Sequence, residues 1–458
     1  MTGINKYFIS IFKYARIFIF ASFFFSGFSA SVFAQDTQYW TNQYGTYGEL
    51  LGGTIIGSAS DLSATFYNPG ALAFSTDSAL VLTTGSYQLI FLDFNNITGS
   101  SLDLSYWYTN TSKGIFAMRL PFHFIEGDQI AVSGLARTDF NFYAEDIYLS
   151  DYPTENFESS RISINHKISE FWYGASWSKS FSKKIGIGVS VYVPYRSQTE
   201  KRESIFQTYD PDNLTGDVLA IAGVDYYNVR ALLKGGISYR DKNYMLGLSL
   251  TTPSVNILGK GSSSLLLSKS NTGLDTLADI PDMLSDYQEN LKTYYYSPLS
   301  IGFGGAYYFE RTSLYFSAEW FNKVNEYGIM KPEKFVVQST GKSVEHNVKY
   351  SLKSVFNFGF GIKYKLNENF IFYGSITTDR SAFDSDNPNQ LAISTWDIIH
   401  IRSGSEFKYQ NLKITLGFGY GYSGELFNNF DFFGIFENKN TDVIYHQIDI
   451  IFGFSYLM

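Results

Sequence analysis

The chain has 458 residues, no cysteine, 18% aromatic and only 17% charged side chains, and a formal net charge of −8. The lack of cysteine excludes a disulfide scaffold, a thiolate metal site, a thiol nucleophile and a lipid-bearing cysteine, and a mean hydropathy of −0.10 excludes a bundle of membrane helices. With 39 Gly, 42 Phe and 36 Tyr, the chain is too apolar for disorder and points to a large, strand-rich protein.

Residues 1–34 read as a secretory signal. Lys6, Lys13 and Arg16 form a basic start, Ile17 to Phe33 is almost wholly apolar, and Val32-Phe33-Ala34 offers small-enough residues for cleavage before Gln35. A retained anchor is the alternative, but the apolar run is at the short limit for a span. Loss of the segment removes three basic residues and no acid, taking the charge from −8 to −11. Nucleic acid, which needs basic patches, is not an expected partner.

Residues 35–78 form a second unit. They carry Gly45, Gly48, Gly52, Gly53 and Gly57, then a compact run of small and aromatic residues closed by a turn at Asn68-Pro69-Gly70. They lack the pattern that follows.

From 79 to 458 the dominant signal is period two, the mark of strands with two different faces. Ile185, Ile187, Val189, Val191 and Val193 alternate with Gly186, Gly188, Ser190 and Tyr192. Phe356 to Tyr364, Leu412 to Tyr420 and Ile448 to Tyr456 do the same, with Gly, Ser, Thr or a charge on the second face. The runs exceed the roughly 5–6 residues of a soluble strand and suit tilted membrane-crossing strands.

Short polar turns near 182–184, 240–243, 310–312, 366–369 and 410–411 alternate with long linkers at 144–164, 198–222, 254–297, 325–350, 380–395 and 424–443. That is the topology of an outer-membrane barrel with periplasmic turns and outer loops. The expected strands lie near 79–91, 114–124, 128–143, 165–180, 185–197, 226–240, 244–256, 298–309, 313–324, 351–365, 369–379, 396–409, 412–423 and 444–457. The predicted fold is therefore all-β: a 14-stranded antiparallel transmembrane β-barrel, with 101–109 assigned to the first outer loop. The localisation it implies is the bacterial outer membrane. Its partners are outer-membrane lipid and, through the apolar last strand, the barrel assembly machinery. A lumen this wide is not filled by wall side chains, so 35–78 is expected to fold inside it as a hatch or plug.

The longest linker, 254–297, places Leu277, Ile280, Leu284, Tyr287 and Leu291 on one helical face. This reads as an amphipathic helix that caps the barrel or forms one wall of a ligand groove. Tyr294-Tyr295-Tyr296 reads as part of an aromatic girdle. Parity points Arg119, His123, Arg137, Asp139, Lys363 and Lys413 into the lumen. These cations pair with acids such as Asp449 or Glu319, or hold an anionic head group.

Chemistry-bearing patterns are weak. The glycines at 417, 419 and 421 have strand period and no following helix, so they are not a phosphate loop. No G-x-S-x-G occurs, the five histidines lack zinc spacing, and Asp384 to Pro388 lacks the Gly and distal Glu of a calcium loop. No enzyme, metal or cofactor is expected.

The run Gly57-Ser-Ala-Ser-Asp-Leu-Ser-Ala-Thr-Phe-Tyr-Asn-Pro-Gly-Ala-Leu resembles the N-terminal hatch of the long-chain fatty acid transporter (FadL) family of outer-membrane proteins. Asn68-Pro69 is kept, and Gly70 stands where that family usually has Ala. Gly134 to Arg137, Gly247 to Gly261 and Ser297-Pro298 are similar to barrel segments of the same family. The resemblance implies passive uptake of hydrophobic small molecules such as fatty acids, with a hatch movement and sideways escape near a kinked strand. Gly134 to Arg137 is the candidate irregularity. A general diffusion porin or a structural barrel is the alternative, and an outer-membrane lipase a further one.

Overall fold

The computed structural model describes residues 36–45, 47–75, 78–95, 104–111, 114–121, 123–149, 159–209, 215–270, 283–384, 386, 391–410, 412–428 and 440–457. The expected signal segment lies outside them. Alternating β-branched, aromatic and small residues dictate strands, and the described residues form β1 (Ser78–Asn95), β2 (Leu104–Thr111), β3 (Ile115–Arg119), β4 (Asp128–Leu149), β5 (Ser159–Ser180), β6 (Ile185–Tyr209), β7 (Thr215–Arg240), β8 (Tyr244–Thr251), β9 (Val255–Ser270), β10 (Met283–Lys292), β11 (Ser300–Tyr308), β12 (Thr312–Phe321), β13 (Val324–Met330), β14 (Phe335–Val336), β15 (Ser343–Val344), β16 (Val348–Leu352), β17 (Val355–Lys365), β18 (Phe370–Asp379), β19 (Ile398–Tyr409), β20 (Leu412–Asn428) and β21 (Asn440–Leu457).

Following the antiparallel pairings from β1 through β3 to β8, then β11, β12 and β17 to β21, returns to β1, where Ser78 faces Leu457 and Asn95 faces Asp442. The circuit is a closed barrel of fourteen strands, and closure gives nearly every wall strand a ladder on both sides. Its faces are inverted relative to a soluble protein. Along β6, Val189, Val191, Val193 and Tyr195 point outward and stay exposed, while Ser190, Tyr192, Arg196 and Gln198 are buried inside. The same outward apolar row recurs on β8, β11, β17, β19 and β20, a belt that only lipid covers at low cost.

Four sequence expectations change. Residues 104–111 are wall, not loop: Tyr87 to Phe94 of β1 pair with Thr111 to Leu104, and Leu80 to Leu82 pair with Met118 to Phe116. β2 and β3 thus lie in turn along the same flank of β1 and together take one place in the wall. The expected linkers 144–164 and 198–222 are mostly strand, because β4 to β7 run 22 to 26 residues. Beyond the lipid the outward face no longer needs apolar residues, so its alternation fades while pairing continues. The expected helix over 277–291 is absent from its described part: 283–292 is β10, paired with β9. The open edge of β9 supplies backbone partners that override local helical spacing. Leu284 is buried, Tyr287 is exposed, and Leu291 is partly buried beyond an irregularity where Asn290 has a φ of 60°. Leu277 and Ile280 lie outside the described residues. His123 does not enter the lumen: it is exposed in the turn before β4, with Nδ1 3.1 Å from Asp128.

Residues 36–75 lie within the barrel. One helical turn, α1 (Ala64–Tyr67), and a 3-10 turn (Ala71–Phe74) are their regular elements. Leu50, Leu51, Ile55, Leu62 and Leu72 are fully buried against inward wall residues. Backbone approaches backbone here: a Cβ on Gly70 would sit 2.6 Å from the carbonyl of Gly236 on β7, and one on Gly57 would strike the carbonyl of Gly304 on β11. The lumen-facing glycines of the wall make this packing possible.

Candidate ligand cavity

Asn68 fixes the leading segment to the wall. Its Nδ2 donates to the carbonyl oxygens of Ile56 (2.9 Å) and Ile237 (3.1 Å), and its Oδ1 accepts from the Gly70 amide at 3.0 Å. Pro69 and Gly70 pack against Gly188 and Gly236. Two strands from β6 along the wall, β4 is irregular. Its register with β5 slips between Ala136 and Thr138, leaving Arg137 as the extra residue. The Ala136 carbonyl accepts from Tyr44 Oη (2.7 Å) and the Arg137 carbonyl from Asn42 Nδ2 (3.3 Å), so the leading segment satisfies the backbone groups at the bulge. Outward of Ile115 and Leu135, β4 pairs with β5 and β2 pairs with β1. Among the described residues no ladder joins β2 to β4 there, and this seam is bridged by ring contact, with Tyr106 and Phe142 centroids 5.6 Å apart.

A cavity opens above the leading segment beside this bulge. Trp40, Phe66 and Tyr67 form its floor, Arg137, Glu170, Trp172, Arg196, Arg230 and Lys234 one side, Glu319 and Phe321 another, and Tyr295 its upper part. The acids are occupied. Glu170 accepts from Arg230 Nη2 (2.5 Å), Arg196 Nη1 (3.1 Å) and Trp172 Nε1 (2.6 Å). Glu319 accepts from Trp40 Nε1 (3.0 Å) and Ser300 Oγ (2.7 Å). Two guanidiniums lie over the Tyr295 ring, Arg196 at 4.2 Å and Arg230 at 4.7 Å from its centroid. Tyr295 is therefore a lumen residue and not part of a lipid-facing girdle; its hydroxyl lies 3.3 Å from that of Tyr350.

Two cations are left over. Among the described residues no carboxylate comes within ion-pair distance of Arg137 or Lys234. Both instead face the Phe66 ring, at 5.6 Å and 4.8 Å from its centroid. Lys234 is buried and Arg137 half-buried; a buried cation without a counter-ion costs several kcal/mol, a cost that an anionic group between them offsets. The aromatic rings around it suit an apolar body, the usual composition of a small-molecule site.

The other expected head-group residues lie elsewhere. The Arg119 guanidinium donates to the Ser75 carbonyl at the end of the leading segment. Lys363 and Lys413 sit by the short turns, where Lys413 is 3.4 Å from Glu406. Only Arg137 of the four lines the cavity. Arg196, Arg230, Lys234 and Glu170 are on inward positions of β5 to β7 and were accessible to the same parity argument. Tyr295 was not, because its position depends on the β9–β10 hairpin. Among the described residues no group of three or more His, Cys, Asp or Glu side chains is placed to hold a metal ion.

No family model matches the chain, and no curated protein matches it by sequence. Solved structures do match. A Pseudomonas aeruginosa FadL homologue aligns over 92% of this chain and 99% of its own, with a TM-score of 0.62 and 12% identity. The chain has the FadL fold. The P. putida toluene transporter TodX shows that fold over 91% and 99% of the two chains (TM-score 0.58, 14% identity), and the Ralstonia pickettii toluene transporter TbuX over 91% and 99% (TM-score 0.52, 11% identity). At these identities the FadL fold is what is shared, while the side chains that line the lumen are this chain's own.

Proposed function

We propose that the protein is an outer-membrane channel for passive uptake of hydrophobic compounds, long-chain fatty acids or similar anionic amphiphiles among them. The leading segment is its plug, and the seam between β2 and β4 is its lateral exit. The carrying observation is the position of Arg137. It is the bulged residue of the strand beside the seam, its carbonyl is held by the plug, and its guanidinium faces a cavity that also contains Lys234. An acyl chain favours such an apolar route, since each buried methylene contributes about 0.8 kcal/mol, and the two cations receive its carboxylate. The FadL-type and toluene-transporter relatives by fold support this reading.

The test is uptake of labelled oleate and toluene by cells that lack their own transporters and carry this protein. Saturable oleate uptake, lost when the cavity cations are removed, is expected. A large steady ion conductance of the intact chain in planar bilayers, with no saturable uptake, would support the diffusion-pore alternative instead.

A further inference from the structure

The wall is also unladdered between β8 and β9 on one side and β10 and β11 on the other. β8 and β9 follow one another along β7. β11 pairs with β8 as far as Ser300 and Thr251, and β10 pairs with β9 from Lys292 and Lys260 outward. Between these limits, among the described residues, one backbone bond crosses, from the Thr293 amide to the Gly259 carbonyl (3.3 Å). Pro253 and Pro298 have no amide to give to a ladder. Side chains take its place. The Ser297 amide donates to Ser254 Oγ (2.9 Å), the Tyr295 amide to Asn256 Oδ1 (2.9 Å) and the Tyr296 amide to Tyr327 Oη (3.2 Å). Such bonds satisfy the backbone as a lipid surrounding requires, but they part by rotation of a side chain, which a ladder does not allow.

This stretch meets lipid on one side and the cavity on the other. The outward apolar row of β8, Leu246, Leu248 and Leu250, continues in Val255 and Ile257, which are 68% and 57% exposed. On the lumen side Tyr295, Ser297 and Pro298 line the cavity. Arg230 and Asn256 are cross-strand partners beside them. Arg230 Nε donates to Ser297 Oγ (3.2 Å), and Asn256 Oδ1 accepts from Asn228 Nδ2 (2.8 Å). Arg230 Nη1 and Asn256 Nδ2 are buried donors with no hydrogen-bond partner among the described residues. Native structures leave few such donors unmet, and one carboxylate has oxygens enough to accept from both.

We propose that this stretch is a second lateral port, with a head-group subsite at Arg230 and Asn256, through which carboxylate-bearing amphiphiles dissolved in the outer leaflet enter the cavity. The apolar tail lies in lipid along Val255 and Ile257 while the carboxylate passes Ser297. Tyr295, held at its amide by one side chain, is the gate. The port rests on the uptake reading above and adds to it a way in from the membrane itself.

The test places the full chain in phospholipid vesicles already loaded with oleate that carries a diazirine close to its carboxylate. On irradiation, Tyr295 and Asn256 are expected to be labelled as strongly as the lipid-facing Ile257. The natural chain has no cysteine, so Ser254→Cys with Ser297→Cys creates one pair across the stretch. Oxidising that pair is expected to cut the label on Tyr295 about fivefold or more, with recovery on reduction and no change at Ile257. Label on Phe66 and Trp172 with none on Tyr295, or label on Tyr295 that the crosslink leaves undiminished, overturns the port and leaves the proposed function standing. Absence of label from every cavity residue overturns both. Independently, in the natural chain, the Tyr295, Tyr296 and Ser297 amides are expected to be about tenfold less protected from hydrogen exchange than the laddered Ile301 and Phe303 amides of β11. Equal protection overturns the port, whatever the behaviour of the cysteine pair.

Discussion

Lys234 and Arg137 show what a single side chain does in this lumen. Lys234 is buried and Arg137 half-buried, each facing the Phe66 ring, with the nearby acids already engaged by Arg196, Arg230, Trp40 and Ser300. Lys234→Met keeps the apolar stem and removes the charge. It is expected to weaken oleate binding by about 1.5–3 kcal/mol, the worth of a charged hydrogen bond, and to leave toluene binding unchanged. Thermal stability is expected to hold or rise, because the desolvation cost of an unpaired cation disappears. Calorimetric titration with both ligands checks this. Asn68 acts differently, since its amide donates both to Ile56 of the leading segment and to Ile237 of the wall. Asn68→Asp replaces those donors with an oxygen facing two carbonyls. The barrel is expected to stay folded by gel mobility, while the 36–75 segment becomes cleavable by protease several-fold faster.

At the scale of elements, strands were legible wherever one face met lipid, because Phe356 to Tyr364 or Leu412 to Tyr420 must keep strict parity there. They were not legible beyond it. The charged stretch Glu200 to Glu203 continues β6 with Glu200 and Arg202 inward and buried, yet nothing apolar marks its outer face. β10 is not legible because apolar spacing is ambiguous over one short segment, and the free edge of β9 decides it. The outer hairpins also carry a titration. Burial holds His346 below its ordinary value of 6.5, with Asp286 opposing. The unfolded hairpin therefore takes up a proton before the folded one as pH falls through 6.5. Local stability of 324–352 is expected to be full above that pH and to drop below it. Hydrogen exchange of this segment at two pH values measures the effect, and His346→Gln should abolish it.

For the whole molecule, the barrel and its filling are separable. The wall closes through its own ladder from β1 to β21, and the leading segment packs inside against wall glycines without contributing to that ladder. Deleting 36–75 is therefore expected to leave a folded, heat-modifiable barrel with a steady ion conductance that the intact chain lacks, measured in planar bilayers. The expected head-group set divides on the same scale. Arg137, Arg119, Lys363 and Lys413 all follow inward parity, but parity gives a direction and no height. Only the register of each strand against the leading segment places Arg137 at the cavity and the two lysines by the short turns.

The amino-acid order by itself determined the alternation, hence the inverted faces, the fourteen-strand wall and the distinct leading segment. Lipid outside and polar groups inside impose a two-residue period that survives in any single strand. Tertiary structure alone decided the approach of Lys234 and Arg137 to one ring, the two guanidiniums over Tyr295, and the bonds of Ser381, Ser394 and Trp396 to the start of the leading segment. Those contacts join segments up to 358 residues apart, and their geometry depends on barrel closure, which no local pattern encodes.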